Sequence, residues 1–401
     1  MPEAVIVATA RTPIGRAMKG SLTEVRPDDM TAHILTAVLE KVPALDRHEV
    51  EDIMVGCGQP AGESGFNIAR VAAILADMPD VPGTTVNRYC SSSLQTIRMA
   101  AHAIKAGEGD VFIAAGVETV SRYGSGMADS GPTNERFADA RSRSAARADG
   151  GADDWTPPAG LPDIYIAMGQ TAENVVQAEK VGRADMDEFA ALSQQRAVAS
   201  QNNGFFEREI TPVTTPDGTV VSKDDGPRDG TTVEKLAELK PVFRPDGSVT
   251  AGNSCPLNDG AAAVVVMSDT RASELGITPL ARIVASGVTG LNPEIMGLGP
   301  IEACRQAMKR AGMTIDDIDL VEINEAFAAQ IVPSAKHLGI AWDKLNVNGG
   351  AIALGHPFGM TGARIMTTLL NGLEDRDATF GMESMCVGGG QGMAMIVERL
   401  S

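Results

Sequence analysis

The chain has 401 residues, more than one hydrophobic core usually organises, so two or three domains are expected. Its formal charge of −18 disfavours non-specific nucleic-acid binding, which rests on cationic contacts to phosphate, but leaves room for a local patch around a small anionic ligand. Aromatics are only 4% and glycines number 43, so the core should be built from Ala, Val, Ile, Leu and Met with close backbone approaches.

Met1-Pro-Glu-Ala-Val-Ile-Val lacks the basic stretch of a secretory leader, and no apolar run is long enough to span a bilayer. The expectation is a cytoplasmic protein with free thiols and no membrane span. Residues 4–8 read as a buried strand, ended by Arg11-Thr-Pro-Ile-Gly. Asp28 and Asp29 are expected to cap a helix over 30–41, with Ile34, Val38 and Leu39 on its apolar face. A strand over 51–55 closes at Gly56-Cys57-Gly58. A serine-rich turn at Cys90 leads into a helix, where Leu94, Ile97, Ala101 and Ile104 recur at helical spacing until Gly107. Residues 111–115 form a short apolar strand.

The character changes over 121–250. Residues 129–163 carry Gly, Pro, Asp, Arg and Ser with almost no periodicity, which reads as a functional loop or inserted subdomain. Two helices follow, one including Thr171-Ala-Glu-Asn-Val-Val and one over 185–204. Alternating elements return with a strand over 261–267, a helix over 301–311 and a strand over 319–323. Asn324-Glu-Ala-Phe327 stands at the end of that strand, a common place for functional residues. A turn at His356 leads into a helix carrying Ile365, Leu369 and Leu370. Residues 379–385 and 393–397 read as a hairpin around Gly388-Gly-Gly-Gln-Gly. A faint repeat emerges: Cys90 follows Cys57 by 33 residues and His356 follows Asn324 by 32, each before a helix. Two similar halves sharing one site would explain it.

Cys57, Cys90, Cys255, Cys304 and Cys386 contain no CxxC, and the histidines form no HxH or HExxH, so neither disulfides nor a metal site is expected. Chemistry therefore falls on three turns. Cys90 at a helix start is a candidate nucleophile, with the N–H groups there favouring a thiolate and Ser91, Ser92 and Ser93 satisfying first-turn donors. The alternative is a small buried apolar residue. His356 sits among Gly349, Gly350, Gly355, Gly359 and Gly362, before Pro357, and is a candidate base fixed in a rigid turn. The alternative is a core histidine satisfying a carbonyl. Cys386 precedes three glycines whose bared N–H groups suit an oxyanion, or is a buried thiol beside a hairpin. Asn324 is a candidate oxyanion donor or water holder, or a turn residue.

Together these segments resemble the thiolase family. Asn87-Arg-Tyr-Cys90-Ser-Ser, Met168-Gly-Gln-Thr-Ala-Glu-Asn174, Gly252-Asn-Ser-Cys-Pro-Leu-Asn-Asp-Gly260, Asn324-Glu-Ala-Phe327, Gly349-Gly-Ala-Ile-Ala-Leu-Gly-His356-Pro and Cys386-Val-Gly388-Gly-Gly-Gln-Gly match in order across the chain. The resemblance implies an α/β thiolase fold of two similar α-β-α-β-α halves with an inserted loop domain. It implies an N-terminal half over 1–120 plus 250–272, a loop domain binding CoA and acyl groups over 121–249, and a C-terminal half over 273–401. It also implies a homodimer or homotetramer.

The activity implied is that of a 3-ketoacyl-CoA thiolase, cleaving 3-ketoacyl-CoA with CoA to acetyl-CoA and a shortened acyl-CoA. By the same resemblance Cys90 is the nucleophile, His356 takes its proton and Cys386 protonates the enolate. His356 with an Asn324-held water forms one oxyanion site; the N–H groups of Cys90 and Gly388 form the other. Met168, Phe243 and Phe327 would line the pantetheine tunnel, with Cys255 where relatives often carry Ser. CoA is a substrate and no cofactor is implied.

Two departures bear on the acyl group. Ser93 stands where many relatives have Gly and either narrows the space behind the nucleophile or faces the helix. Ala167 stands where acetoacetyl-specific relatives have His, which leaves room for longer or bulkier acyl chains. Asn-Arg-x-Cys-Ser-Ser resembles degradative members and Gly-Gly-Gly-Gln-Gly biosynthetic ones, so acyl length stays open. The main alternative is an acetoacetyl-CoA-forming acetyltransferase, which shares every catalytic residue. A decarboxylating ketosynthase fits less well, because it pairs one Cys with two His. A non-catalytic acyl-CoA or lipid-binding relative would be expected to lose one of the three turn residues.

Overall fold

The structure is a computed structural model that describes residues 2–401. Its frame is a ten-stranded mixed sheet. The strands used below are β1 (Ala4–Arg11), β2 (Asp52–Gly56), β3 (Gly83–Val86), β4 (Val111–Thr119), β5 (Asn258–Ser268), β6 (Ala281–Gly290), β7 (Leu320–Ile323), β8 (Phe380–Val387) and β9 (Gln391–Arg399). The order is β7-β8-β9-β6-β1-β5-β4-β2-β3, with the two-residue strand Gly15–Arg16 on β5. This order is nearly symmetric about the β6–β1 junction, where only Val5 and Ile6 pair with Arg282 and Ala281. In each half the site-bearing pair is parallel, β2 with β4 and β7 with β8.

The principal helices are α1 (Pro27–Glu40), α2 (Ile68–Leu75), α3 (Ser92–Ala106), α4 (Ala138–Ala148), α5 (Met168–Glu179), α6 (Arg183–Asn202), α7 (Gly299–Ala311), α8 (Ala328–Leu338) and α9 (Thr361–Asp375). Side chains alternate along β1. Val5 and Val7 join the core beneath α1 and α2, while Ala4 and Ile6 join the core holding Leu94 and Ile97 of α3 and Ile365 and Leu369 of α9. α3 and α9 are thus a central layer between the two half-sheets. A third core lies beyond the second half-sheet under α7 and α8. The central helices are held by burial: Leu94, Ile97 and Ile104 are fully covered, each contributing roughly 1.5–3 kcal/mol.

Three local expectations need correction. α1 begins at Pro27, suited to a first helical position, and its N-cap is Arg26. Asp28 and Asp29 do not cap; Asp28 receives the Arg26 guanidinium instead. The stretch 129–163 is not irregular throughout, because α4 lies within it. Only Ala140 of α4 is buried, so there is no apolar stripe for periodicity to detect, and Ala/Arg helix propensity forms it. Most strands also run longer than their apolar runs, because polar end residues still pair; β4 continues through Glu118 and Thr119 against β5.

The residues between β4 and β5 are clamped to the core by buried charge. Arg11, at the end of β1, donates to Glu209 at 2.6 Å and to Asp224 at 2.8 Å, with all three side chains fully buried. Among the described residues no helix is long and apolar enough to cross a membrane.

Candidate active site

Chain geometry around Cys90 is set by a strained turn. Tyr89 has φ +41°, unusual for a residue with a side chain, and its N–H donates to Asn87 Oδ1 at 2.8 Å. A single 3₁₀ turn, Tyr89–Ser91, then precedes α3. The serines do not cap the helix donors as expected. Ser92 Oγ accepts from Arg88 N–H at 2.9 Å and donates to the Tyr89 carbonyl, stabilising the turn itself. Ser93 Oγ accepts from the Ala363 N–H of α9 at 2.9 Å, so this departure from Gly links the two central helices.

Cys90 is buried, and its thiol is pushed up to about 12. Burial is the largest cause, and the N–H groups of Gly388 and of Cys90 itself act against it. The amides favour the thiolate in the expected direction, but desolvation outweighs them. To act as a nucleophile, such a thiol needs a base.

The candidate base is His356. Gly355 adopts φ +113°, a backbone reserved for glycine, and Asn258 Oδ1 accepts the His356 N–H at 3.0 Å. Thr361 Oγ donates to the Pro357 carbonyl at 2.8 Å, so toward His356 it accepts, at 2.6 Å from Nδ1. This assigns the proton to Nδ1 and leaves Nε2 as the lone-pair nitrogen. Nε2 faces Asn324 Nδ2 at 3.3 Å. Burial, with a contribution from Arg364, lowers the imidazole to about 3. His356 is therefore neutral at neutral pH, with Nε2 unprotonated, although the same burial weakens it as a base.

Cys386 lies near the end of β8, 1% exposed, and its thiol donates to Gln330 Oε1 of α8 at 3.3 Å. Burial, then the neighbouring Cys90 and Cys255 thiols, push it well above the ordinary value. It is a protonated thiol with an acceptor, the state of a proton donor. After Val387 the chain turns through Gly388–Gly390, where Gly389 and Gly390 have φ near +80°. That turn brings the Gly388 N–H to the Cys90 sulfur. Asn324 Oδ1 is buried without a partner among the described residues, an acceptor facing the site.

Two buried carboxylates brace these turns. Glu118 accepts from Gly58 N at 2.7 Å, Gln59 N at 3.2 Å, Gly359 N at 2.9 Å and Tyr123 Oη at 3.0 Å. It joins the end of β2 to the His356 turn. Glu325 accepts from Ser193 Oγ at 2.6 Å, Asn346 Nδ2 at 2.8 Å and Ile352 N at 3.0 Å. It joins the Asn324 corner to the approach of the same turn. Burial raises both carboxyls, and the donors pull them down.

A cavity of about 680 Å³ opens over Cys90, walled by Tyr89, Ile164, Ile166, Met168, Phe358 and Gly388 among others. Met168 thus lies where a substrate would pass. Phe243, Phe327 and Cys255 do not line it; they pack behind it with Cys386, the two rings edge-to-face at 5.8 Å. Sequence reasoning missed Thr361, Gln330, Glu118, Gln59 and Asp129. Glu118 alone gave a signal, an acid inside an apolar strand; the others act through positions that only folding supplies.

The family model described as "Thiolase, N-terminal domain" matches residues 4–270, and "Thiolase, C-terminal domain" matches 277–399. A 3-ketoacyl-CoA thiolase of Serratia proteamaculans is 46% identical over 411 residues, covering 100% of both chains. A beta-ketoadipyl-CoA thiolase of Acinetobacter baylyi is 44% identical over 407 residues, again covering 100% of both. The crystal structure of the Bacillus anthracis acetyl-CoA acetyltransferase superposes with a TM-score of 0.85 at 38% identity, covering 100% of this chain and 99% of that one.

Proposed function

This chain belongs to the thiolase family, and we propose that it is a 3-ketoacyl-CoA thiolase that works through an acyl-Cys90 intermediate. The observation that carries the reading is a neutral His356, its Nδ1 proton held by Thr361 and its Nε2 lone pair facing the Asn324 amide at 3.3 Å, together with the protonated, neighbouring thiols of Cys90 and Cys386. His356 Nε2 takes the Cys90 proton, and the sulfur attacks the 3-keto carbon. Negative charge on that oxygen, and later on the enolate, falls to the N–H groups of Cys90 and Gly388 and to His356 with a water on Asn324. Each such donor is typically worth about 3–4 kcal/mol. Breaking the C2–C3 bond releases the acetyl-CoA enolate, which takes the Cys386 proton. CoA then returns a proton to the Cys386 thiolate as its sulfur attacks the acyl group. Cys90 leaves and recovers its proton from His356, giving ping-pong kinetics.

Met168, on the cavity wall, would contact the pantetheine. A homo-oligomer in the cytoplasm is part of this proposal; sedimentation would test the oligomer. The activity is tested by thiolysis of a 3-ketoacyl-CoA series from four carbons upward, followed as loss of substrate absorbance with added CoA. Activity extending beyond acetoacetyl-CoA is expected. A sharp maximum at acetoacetyl-CoA would favour acetyl-CoA condensation, and no turnover with any member would overturn the reading.

A further inference from the structure

The cavity over Cys90 has an acidic side chain on its wall and no basic one. Among its described lining residues there is no Lys, Arg or His, and Asp129 is the single acid. That carboxylate is fixed in place. Gln59 Nε2 donates to Oδ2 at 2.6 Å, Tyr89 Oη donates to Oδ1 at 3.3 Å, and Asp129 N–H donates back to Gln59 Oε1 at 3.0 Å. Gln59 is itself anchored through its N–H to Glu118, and Tyr89 precedes the nucleophile. All of these partners are neutral, so they orient the charge without cancelling it. Arg88 approaches this wall only through Gln391, to whose side-chain oxygen it donates at 2.7 Å, while its Nε donates to Gln95.

Resting on the thiolase reading, we propose that Asp129 is a specificity residue that admits uncharged acyl chains and rejects acyl chains ending in a carboxylate. The full-length relatives bear names of both kinds, 3-ketoacyl-CoA and beta-ketoadipyl-CoA thiolase. In a 3-ketoadipyl group the terminal carboxylate lies only three carbons beyond the carbon that bonds the Cys90 sulfur. Attached to Cys90, it would lie in the cavity that Asp129 lines. Two like charges brought close together repel. Asp129 is itself exposed at the rim, so salt screens the effect and its size is moderate. Discrimination is thus built from a repulsive element as much as from contacts that favour the accepted chain.

The test compares 3-ketohexanoyl-CoA with 3-ketoadipyl-CoA, which have equal carbon counts and differ in the terminal charge. At low salt the wild-type kcat/KM is expected to favour the uncharged substrate by about 100-fold. Asp129→Asn should lower that ratio by about tenfold, and the loss should shrink as salt is raised. Equal or better turnover of 3-ketoadipyl-CoA by the wild type would overturn the proposal while leaving the thiolase reading intact. So would a ratio unchanged in Asp129→Asn. Absence of thiolysis with both substrates would overturn the thiolase reading, and this proposal with it.

Discussion

Residues 52–119 and 320–387 run through the same elements: a strand, a turn bearing Cys90 or His356, a central helix and a second strand parallel to the first. The registers coincide. The last residue of β2, Gly56, pairs with Gly116, and the last of β7, Ile323, pairs with Ser384. Cys57 and Asn324 therefore occupy equivalent corners, and Glu118 and Cys386 each lie two residues past the equivalent pairs. The same position carries a structural carboxylate in one half and a chemical thiol in the other. The exits differ as well. β8 turns into β9 through Gly388–Gly390, whereas β4 reaches β5 only after residues 120–257. The tight exit delivers a rigid N–H to Cys90; the long one supplies Met168, Asp129 and the cavity wall. A duplicated frame thus places different groups at equivalent positions, and unequal connections set a tight glycine turn in one half against a long cavity-lining segment in the other.

The comparison breaks most severely at the nucleophile. Cys90→Ala should lower thiolysis by roughly 10⁴-fold or more while CoA affinity, measured by calorimetry, stays within a few-fold. Residual turnover within tenfold of wild type would remove Cys90 from its role. The two braces give the next largest effect, and an unequal one. Glu118→Gln places an NH₂ group against at least two donors in either orientation, because Oε2 accepts from Gly58 N and Gly359 N and Oε1 from Gln59 N, Tyr123 Oη and the Cys57 thiol. The expected result is a kcat about 10–100-fold lower through displacement of the His356 turn, with a loss of about 3–5 kcal/mol in urea unfolding. Glu325→Gln faces only Asn346 Nδ2 on one oxygen and should cost less on both measures; equal losses would refute the asymmetry.

Thr361→Val removes the acceptor that fixes the His356 Nδ1 proton, and kcat should fall about tenfold with KM little changed. pH gives a separate handle on the same residue. His356 has a folded value near 3 against about 6.5 unfolded. The unfolded chain binds the extra proton between those values, so this residue's effect on stability is absent above pH 6.5 and destabilises progressively down to pH 3. His356→Gln should accordingly lose less stability than wild type between pH 7 and pH 5, by on the order of 1–2 kcal/mol in denaturant unfolding. The smallest effect is expected at the seam between halves. Ser93→Ala leaves the Ala363 N–H of α9 unpaired and should cost about 1–2 kcal/mol, read from the urea midpoint, with kcat within a few-fold.

Much of the frame was legible because apolar runs and helical spacing report burial directly: α3 announced itself through Leu94, Ile97, Ala101 and Ile104. α4 was invisible because a helix with one buried residue has no stripe. The catalytic turns stood out because Gly, Pro and Ser at Cys90, His356 and Cys386 demand unusual backbone. Asp129 was not legible, since an acid in a polar loop is indistinguishable from a solubilising one until Gln59 and Tyr89 close on it.

Local sequence by itself determined the strands, the central helices and the three reactive turns, because backbone propensity and hydrophobic periodicity act over a few residues. The tertiary structure alone decided the protonation states. Burial overrode the helix start and kept Cys90 a thiol, and Thr361 chose the His356 tautomer. Contacts between the halves set these states, and desolvation depends on what the rest of the chain places around a group.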